Sequence, residues 1–389
     1  MVVGGGAAGL MAAIAAAEAG AQVCIVERSE RLGQSLLRTG NGRCNLSNLS
    51  LDTPEAAAAY NHPDFVAPLL ARFTCTRAVE LFSQLGLETH ADRSGRIYPL
   101  SNSAASVLQV LRNRVEHRGV ELLTDTEVTA VDSSALAIHP LRLRAKKLIL
   151  ATGNDRLATQ VGAHSSIPWR PILGPLGVSG DLKGLSGVRT HCRARLISKP
   201  NESIIATQTG ELLFKDKALS GIMIFELSRH AACGDLLSLN LVPNHHEDSL
   251  QELLAARRQH LASYSARQFL DGLVHPRLAL AVLRAASVSS GASATAIDLR
   301  QLATALTDMR FTVRELPKRH QAQVLRGGLD THNFDPYTMM SRHSQGFYAC
   351  GEALDIDGAT GGFNLHFAWA SGWRAGRHAA ANLGWRELT

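Results

Sequence analysis

Three glycines near the start of the chain, Gly4, Gly6 and Gly9, have the G-x-G-x-x-G spacing of a turn that can hold a diphosphate. In such a turn the first glycine permits the tight bend, the second lets the backbone approach the phosphates, and the third lets the next helix pack closely. Amide groups at the helix start, here those of Ala7 and Ala8, then face the phosphates, and the helix dipole attracts negative charge. The spacing predicts a dinucleotide-binding turn.

The neighbouring elements fit this prediction. An apolar strand end precedes the turn, and residues 10–19, almost all strong helix formers, follow it. A second apolar strand then ends at Glu27, 18 positions after Gly9. Because an acidic residue at about that distance binds ribose hydroxyls in dinucleotide-binding folds, we expect Glu27 and the adjacent Arg28 to contact the cofactor.

A glycine-rich polar segment, residues 40–48, follows the second strand and is predicted to be an extended loop. Its Gly-Arg-Cys-Asn sequence resembles a loop of the BaiN-like flavoproteins, a family that also includes aminoacetone oxidase-like proteins. In that family the loop lies along FAD. The resemblance therefore implies that four residues of this loop contact the cofactor: Gly42, Arg43, Cys44 and Asn45.

Some of these roles have alternatives. Arg43 could fasten the loop through backbone carbonyls, and Cys44 could simply pack, because no second cysteine lies near it in sequence to form a redox pair. Residues 95–99 resemble a second family segment, Gly-Arg-x-x-Pro, which implies that Arg96 and Tyr98 contact the substrate. Tyr98 could instead be packed with its hydroxyl at the surface.

The last part of the chain resembles the same family closely. An apolar strand ends in Gly-Glu, where many FAD enzymes fix the ribityl hydroxyls with a carboxylate, and an acidic, glycine-rich loop then leads into a helix. A helix N-terminus directed at the N1 and C2=O side of the isoalloxazine would stabilise the negative charge of reduced flavin. The implied cofactor contacts are Gly351, Glu352, Asp357, Gly361, Gly362, Phe363 and Asn364.

The resemblance is weaker just after these residues. His366 and Phe367 stand where Gln and Trp are usual in the family, so no substrate preference carries over. His366 could protonate a substrate, or it could be a simple polar contact at a helix start. His366, Arg96 and Tyr98 are the candidate catalytic residues.

One segment in the middle of the chain is also expected to contact the cofactor. An apolar strand ends in Ala-Thr-Gly, which recurs where two-domain flavoproteins pass close to the dinucleotide, so Thr152 and Gly153 are further candidate contacts. Relatives continue with a long glycine-rich loop, whereas here Asn154, Asp155 and a short span lead to Pro171. Either the loop is truly short or residues are missing there, and the brief first strand leads us to expect missing residues at the start as well.

Composition narrows the class of protein. At 389 residues, 45% hydrophobic and 19% charged, the chain is long enough for two or three ordinary folded domains. No apolar run reaches the roughly 18 residues needed to span a membrane, and no signal peptide is recognised, so we expect a cytoplasmic enzyme without membrane contact. The six cysteines are scattered without a C-x-x-C pair, and no metal site is predicted.

The net charge of +6 is concentrated in two basic stretches, residues 142–147 and 183–199. One interpretation is that they are solvated strand edges that charge keeps from pairing. The other is that they bind an anionic partner such as RNA.

We predict an α/β fold with an interrupted doubly wound, Rossmann-like FAD-binding domain in residues 1–177 and 317–389. A small antiparallel β-barrel domain, residues 178–242, and a helical cap, residues 243–316, are inserted into it. We expect this insertion to cover the active site.

The predicted function is that of an FAD-dependent oxidoreductase in which hydride passes from the reduced flavin to an electron-poor C=C or similar acceptor. The substrate would be a small molecule, and NAD(P)H is a possible electron donor. The alternatives are a flavin-dependent RNA reductase that saturates uridine, an amine oxidase that uses O2, and a flavin-bearing binding protein without catalysis. The sequence identifies neither the substrate nor the oligomeric state.

Overall fold

The computed structural model describes residues 1–153, 157, 161 and 164–381. Two compact units make up the fold: the first unit is Met1–Arg170 with Leu325–Thr389, and the second unit is Pro171–Val324. The predicted departure from the family at Asn154 and Asp155 lies outside the described residues.

A parallel five-stranded sheet forms the centre of the first unit, in the order β19-β10-β1-β2-β6. The last strand in sequence, β19, pairs with β10, which in turn pairs with β1, so both ends of the chain contribute to one sheet. This confirms the predicted Rossmann-like fold. The strands are β1 (Val2–Val3), β2 (Cys24–Val26), β6 (Glu121–Leu123), β10 (Leu148–Leu150) and β19 (Phe347–Ala349).

Helices surround this sheet, and two of them are in unusually close contact. The first helix, α1, is apolar on nearly every side and therefore buried. The last helix, α10, approaches it through Gly372 and Gly376, where a Cβ would lie 2.3 Å and 2.2 Å from the carbonyl oxygens of Ala8 and Ala12. The helices are α1 (Ala7–Glu18), α2 (Pro63–Leu70), α3 (Cys75–Gln84), α4 (Ala104–His117) and α10 (Phe363–Ala381).

Smaller sheets lie outside the five-stranded sheet and the barrel. One of them, in the order β3-β5-β4, matters for the site because it pairs Asn48 with Arg96 and so joins the two loops that resemble the flavoprotein family. The strands are β3 (Ser47–Asn48), β4 (Thr89–Ala91), β5 (Arg96–Pro99), β7 (Ala130–Asp132), β8 (Ala137–His139), β9 (Leu143–Arg144), β11 (Ser166–Ile172) and β18 (Val324–Leu329).

The second unit contains a closed antiparallel barrel, which confirms the predicted inserted barrel. Its strand order is β12-β15-β14-β13-β16-β17. The strands are β12 (Leu176–Ser179), β13 (Arg189–Ile197), β14 (Ile204–Phe214), β15 (Ala218–Ser220), β16 (Leu236–Asn240) and β17 (Met309–Glu315). The sequence analysis placed β17 in the helical cap, but here it pairs with β12 and β16 and leaves no open edge.

The helices of the second unit share one apolar core with the barrel. Pro276 begins a helix, because a proline at the first helical position gives up no hydrogen bond. The helices are α5 (Ile222–Ser228), α6 (Glu247–Leu261), α7 (Ala266–Phe269), α8 (Pro276–Ala285) and α9 (Leu299–Thr307). Coverage of the active site by this unit stays a prediction.

The interpretation of residues 183–199 as a strand edge is wrong. The strand within this stretch, β13, pairs with β14 on one side and with β16 on the other. Its Arg189 forms an exposed ion pair with Glu211, and Arg193 donates a hydrogen bond to the Pro243 carbonyl at 3.1 Å. Within the described part of the chain, no helix is long and apolar enough to cross a bilayer.

Candidate functional site

The glycine turn has the geometry that a diphosphate requires. Gly4 has a φ of +103°, and a Cβ at Gly9 would lie 1.9 Å from the Gly4 carbonyl oxygen, so neither position accepts a side chain. A Cβ at Gly6 would meet nothing closer than the Ser35 hydroxyl at 3.8 Å, which shows that the space before its backbone is open. Gly6 is the N-cap of α1, and no described side chain caps this end, so the amides of Ala7 and the following residues are available to an anion.

The predicted ribose-binding acid also holds the turn together. One carboxylate oxygen of Glu27 accepts the Gly5 N–H at 2.7 Å, and the other accepts the Ser29 N–H at 2.9 Å. A carboxylate has about four lone-pair positions, so it retains acceptor capacity for a hydroxyl. The adjacent Arg28 is exposed.

The Gly-Arg-Cys-Asn loop contains one buried acceptor without a partner. Among the described residues, Asn45 Oδ1 is buried with no hydrogen-bond donor. Burial raises the pKa of the Cys44 thiol to about 12, so it is a packed thiol rather than a reactive thiolate. Arg43 lies over the Tyr98 ring, with 4.7 Å between its Cζ and the ring centroid, and Gly42 has a φ of +84°.

The two candidate substrate contacts on β5 differ in position. The Tyr98 ring is buried and contacts both Arg43 and the stacked His90 ring, which favours a packing role. Arg96 lies beside the C-terminal loop, since a Cβ at Gly361 would be 3.4 Å from its Nε.

His366 does not fit the catalytic role that the sequence suggested. Its ring is fully buried, Nδ1 lies 2.8 Å from the Ser47 hydroxyl, and Nε2 lies 2.8 Å from the Phe73 carbonyl oxygen. Burial lowers the pKa of His366 to about 4, so the ring is neutral at pH 7. With both nitrogens already bonded, His366 has no free nitrogen for a substrate and serves to fix the start of α10.

Glu352 is half-buried, and its carboxyl lies close to the middle segment of the chain. Burial raises its pKa to about 7, and a Cβ at Gly153 would lie 3.8 Å from its Oε2. Next to Gly153, the Thr152 hydroxyl is buried and has no partner among the described residues. A carboxyl next to a buried hydroxyl that has no partner among the described residues fits a ligand that carries several hydroxyl groups, as the ribityl chain of FAD does.

The loop before α10 is held in place by hydrogen bonds within the loop and by one from the Tyr60 hydroxyl. Asn364 accepts the Gly358 N–H at 2.8 Å and donates to the Gly358 carbonyl at 3.0 Å. The Tyr60 hydroxyl donates to the Phe363 carbonyl at 2.9 Å. A Cβ at Gly362 would lie 2.4 Å from the Ser47 carbonyl oxygen, so this loop packs directly on β3.

Asp357 has a different environment from the one that the resemblance implied. It is fully buried, and both of its oxygens accept from the Arg326 guanidinium, at 2.5 Å and 2.8 Å. This bidentate pair makes Asp357 an anchor of the loop, and a direct contact with the cofactor stays a prediction.

Sequence reasoning missed the partners of the acidic loop. Asp355 accepts the Gly327 N–H at 2.9 Å, and His62 Nε2 lies 3.0 Å from its Oδ2. His62 and Asp355 are separated by 293 positions, so no local motif marks the pair. The one available signal was that two acids in a buried loop require cations, which Arg326 and His62 supply.

Comparison with known proteins assigns the chain to a family. The family model described as "HI0933-like protein Rossmann domain" matches residues 1–378. The chain is 32% identical to a 3-dehydro-bile acid delta(4,6)-reductase of Clostridium scindens, with 97% of this chain and 98% of that protein covered. It is 27% identical to a ribosomal RNA dihydrouridine synthase of Escherichia coli, with 96% of each covered.

A solved structure, the 3-ketosteroid delta1-dehydrogenase of Sterolibacterium denitrificans, overlaps with a TM-score of 0.48 at 14% identity, and 98% of each chain is covered. The chain belongs to the HI0933-like Rossmann family and is a flavin-dependent oxidoreductase.

Proposed function

We propose that this protein reduces an electron-poor C=C bond of a small molecule and that its flavin is FAD. The observation that carries the proposal is the 32% identity to a protein named as a reductase of an unsaturated bile acid, over nearly the whole of both chains. Because the match is not confined to the nucleotide-binding ends, it also includes the parts of the chain that would bind an acceptor.

The residues of the first unit fit FAD as the resident group. In this proposal the first amides of α1 hold the diphosphate, Glu27 binds ribose, and Glu352 and Thr152 bind the ribityl hydroxyls. Support comes from the open space before Gly6 and from the buried Thr152 hydroxyl, which lacks a partner among the described residues. Bound FAD would supply hydride to the acceptor once it is reduced.

The chain's own residues would orient this chemistry. The positive end of α10 and the glycine loop before it would favour negative charge on the reduced ring. Asn364 keeps that loop closed, and His366 fixes the start of the helix without taking part in proton transfer. Arg96, beside Gly361, would contact the acceptor or the ring.

We further propose NAD(P)H as the electron donor. Because NAD(P)H is abundant in the cytoplasm, we also propose a cytoplasmic location. The test is anaerobic: the purified protein, loaded with FAD, is mixed with NADPH or NADH and its flavin absorbance is followed. Bleaching of the flavin, followed by its return when an enone is added, is the expected result. A flavin that neither donor bleaches, or that no enone in a panel reoxidises after dithionite reduction, would overturn the corresponding part of the proposal.

A second candidate function is reduction of a uridine in RNA. It is favoured by the two relatives named ribosomal RNA dihydrouridine synthase, at 27% and 26% identity over 96% and 95% of this chain. In the second unit, Lys183, Lys215 and Lys217 line two adjoining surface depressions of ≈ 460 Å³ and ≈ 470 Å³. None of the three lysines forms an ion pair with a described residue, so their charge is available to phosphates.

Salt dependence separates the two functions. If RNA binds at these lysines, affinity for a ribosomal RNA fragment falls steeply with salt, and replacing all three by Gln reduces the slope of log K against log salt by about 2–3. Lys146→Gln, in the other basic stretch, is the control and keeps the slope within about one unit. Affinity that does not change between low and moderate salt would remove the RNA function.

A further inference from the structure

The proposed reduction requires a proton as well as a hydride, and His366 cannot supply it. His62 is differently placed, because only one of its two ring nitrogens is bonded to a described residue. Nε2 lies 3.0 Å from Asp355 Oδ2, and the side chain is 35% exposed. Within the described residues Nδ1 has no partner, so it is free to meet a substrate.

The carboxylate partner of His62 is fixed in place. Asp355 has a side chain only 8% exposed, and its Oδ1 accepts the Gly327 N–H at 2.9 Å and lies 3.4 Å from Asn61 Nδ2. The backbone of His62 is also restricted, because Pro63 follows it and its carbonyl accepts the amides of Phe65 and Val66 in α2. The imidazole therefore has one orientation relative to the carboxylate.

The charges around His62 favour its protonated form. The hydrogen bond to Asp355 raises the pKa of His62, partial burial opposes this, and the charges of Asp355, Asp330 and Asp357 raise it further. Arg326 partly offsets these acids because it is bound to Asp357. A larger fraction of His62 is therefore protonated near neutral pH than of an ordinary histidine.

The pair also lies along the loop that is proposed to contact the flavin. Tyr60, two residues before His62, packs its ring 5.9 Å from that of Phe363 and bonds to the Phe363 carbonyl. The Asn61 N–H donates to the Asp357 carbonyl at 3.0 Å. Residues 60–62 thus follow the acidic loop just before the glycines that lead into α10.

We propose that His62 is the proton donor of the reduction and that Asp355 is its positioning residue. This inference rests on the proposed function. The acceptor gains hydride from reduced flavin at one carbon of its C=C bond, and the π-electron pair moves to the other carbon and the conjugated carbonyl. The His62 imidazolium gives its Nδ1 proton to that second carbon, the acceptor is reduced by two electrons, the flavin is oxidised, and the neutral imidazole regains a proton from water.

The first test follows proton transfer in single turnovers of the FAD-loaded protein. After dithionite reduction, 2-cyclohexen-1-one, steroid 4-en-3-ones and a uridine-containing RNA are tried as acceptors, and the rate of flavin reoxidation is recorded from pH 6 to 9. In the wild type the rate should fall as pH rises through the pKa of His62. His62→Gln should lower the rate on the order of 10²- to 10⁴-fold and abolish this pH dependence.

Two controls distinguish the loss of a proton donor from a general disturbance of the protein structure. His332→Gln removes an exposed histidine that also pairs with a carboxylate, and it should leave the rate unchanged. Reduction of the flavin by NAD(P)H should be equally fast in His62→Gln and in the wild type. A wild type that no acceptor reoxidises overturns the proposed function and this inference with it, whereas equal rates in wild type and His62→Gln overturn the inference alone.

The second test needs no turnover. NMR titration of the ring should show the pKa of His62 falling toward its ordinary value in Asp355→Asn. Adding the acceptor found above to the oxidised protein, which cannot transfer hydride, should shift the His62 ring signals and leave those of His332 in place. Unmoved His62 signals on acceptor addition, or an unchanged pKa in Asp355→Asn, would contradict the assignment.

Discussion

Two regions of the first unit differ in whether their buried polar atoms have hydrogen-bond partners among the described residues. In the paired region, both ring nitrogens of His366 bond to Ser47 and Phe73, and Arg326 binds both oxygens of Asp357. These atoms have exchanged water for fixed protein partners, so their main effect is on the stability of the fold.

In the open region, Thr152 and Asn45 contribute buried polar atoms that have no partner among the described residues, and Glu352 contributes a carboxyl. Burial raises the pKa of the Glu352 carboxyl to about 7. Because an unsatisfied buried polar group costs about 1–3 kcal/mol, this arrangement suits a ligand that supplies the missing bonds. Changes in the paired region should therefore lower stability, and changes in the open region should lower FAD affinity.

The largest loss of stability is expected from Arg326→Met. This substitution removes the guanidinium that binds both oxygens of the fully buried Asp357, and removing one partner of a buried pair costs about 3–5 kcal/mol. Urea unfolding measures the difference. Arg77→Met is the control, because its pair with Glu80 is exposed and should contribute at most about 1 kcal/mol. Equal losses in the free energy of unfolding of the two variants would contradict the distinction between the buried pair and the exposed pair.

The next largest effect is a loss of stability in acid caused by His366. Its pKa is lowered from 6.5 to about 4 in the folded protein, so between these pH values the unfolded chain binds a proton that the folded protein does not. The free energy of unfolding should therefore fall as pH drops through this window, by about 3 kcal/mol at pH 4, since one pKa unit corresponds to about 1.36 kcal/mol.

Glu352 has the opposite sign in an overlapping window. Its raised pKa means that the folded protein holds a proton that the unfolded chain releases, so its contribution to stability grows as pH falls from 7. The His366 contribution is therefore measured as the difference between the wild type and His366→Gln at each pH. A difference that stays constant from pH 7 to pH 4 would show that His366 is not held neutral.

Local patterns could predict the open region, whereas the paired region depends on distant contacts. The turn at Gly4 to Gly9, the strand end at Thr152 and the Gly-Glu at Glu352 are each recognisable within a few residues, because strand, turn and helix signals are local. For His366 the sequence left a catalytic role and a simple polar contact both open, because its helix-start position was visible but its burial and its bond to the Phe73 carbonyl, 293 positions away, were not.

The same limit applies to the barrel and to the missed histidine. The strand β17 is separated from the rest of the barrel by four helices, and only closure of the sheet reveals its place. The pairing of His62 with Asp355 likewise depends on how the first and last parts of the chain come together. Such contacts are fixed by packing and not by local propensity.

In the open region, Glu352→Gln should weaken FAD binding. A hydrogen bond to a charged group contributes about 1.5–3 kcal/mol, which corresponds to a loss of about 10- to 150-fold in affinity. Flavin fluorescence during titration of the apoprotein measures it. At neutral pH the apoprotein should be as stable as the wild type or more so, because the variant no longer buries a carboxyl. An unchanged FAD affinity would remove Glu352 from the cofactor site.

The smallest and most selective effect is expected from Thr152→Val, which replaces the hydroxyl by a methyl group of similar size. The proposed bond to FAD is between neutral groups and contributes about 0.5–1.5 kcal/mol, so affinity should fall about 2- to 12-fold. The apoprotein should lose no stability, because the hydroxyl has no partner among the described residues. Ser47→Ala is the matched control in the paired region: it removes a hydroxyl that bonds to His366 Nδ1 and should lower the free energy of unfolding by about 1–3 kcal/mol. If Thr152→Val destabilises the apoprotein as much as Ser47→Ala does, the Thr152 hydroxyl has a protein partner and the open region is not a ligand site at that position.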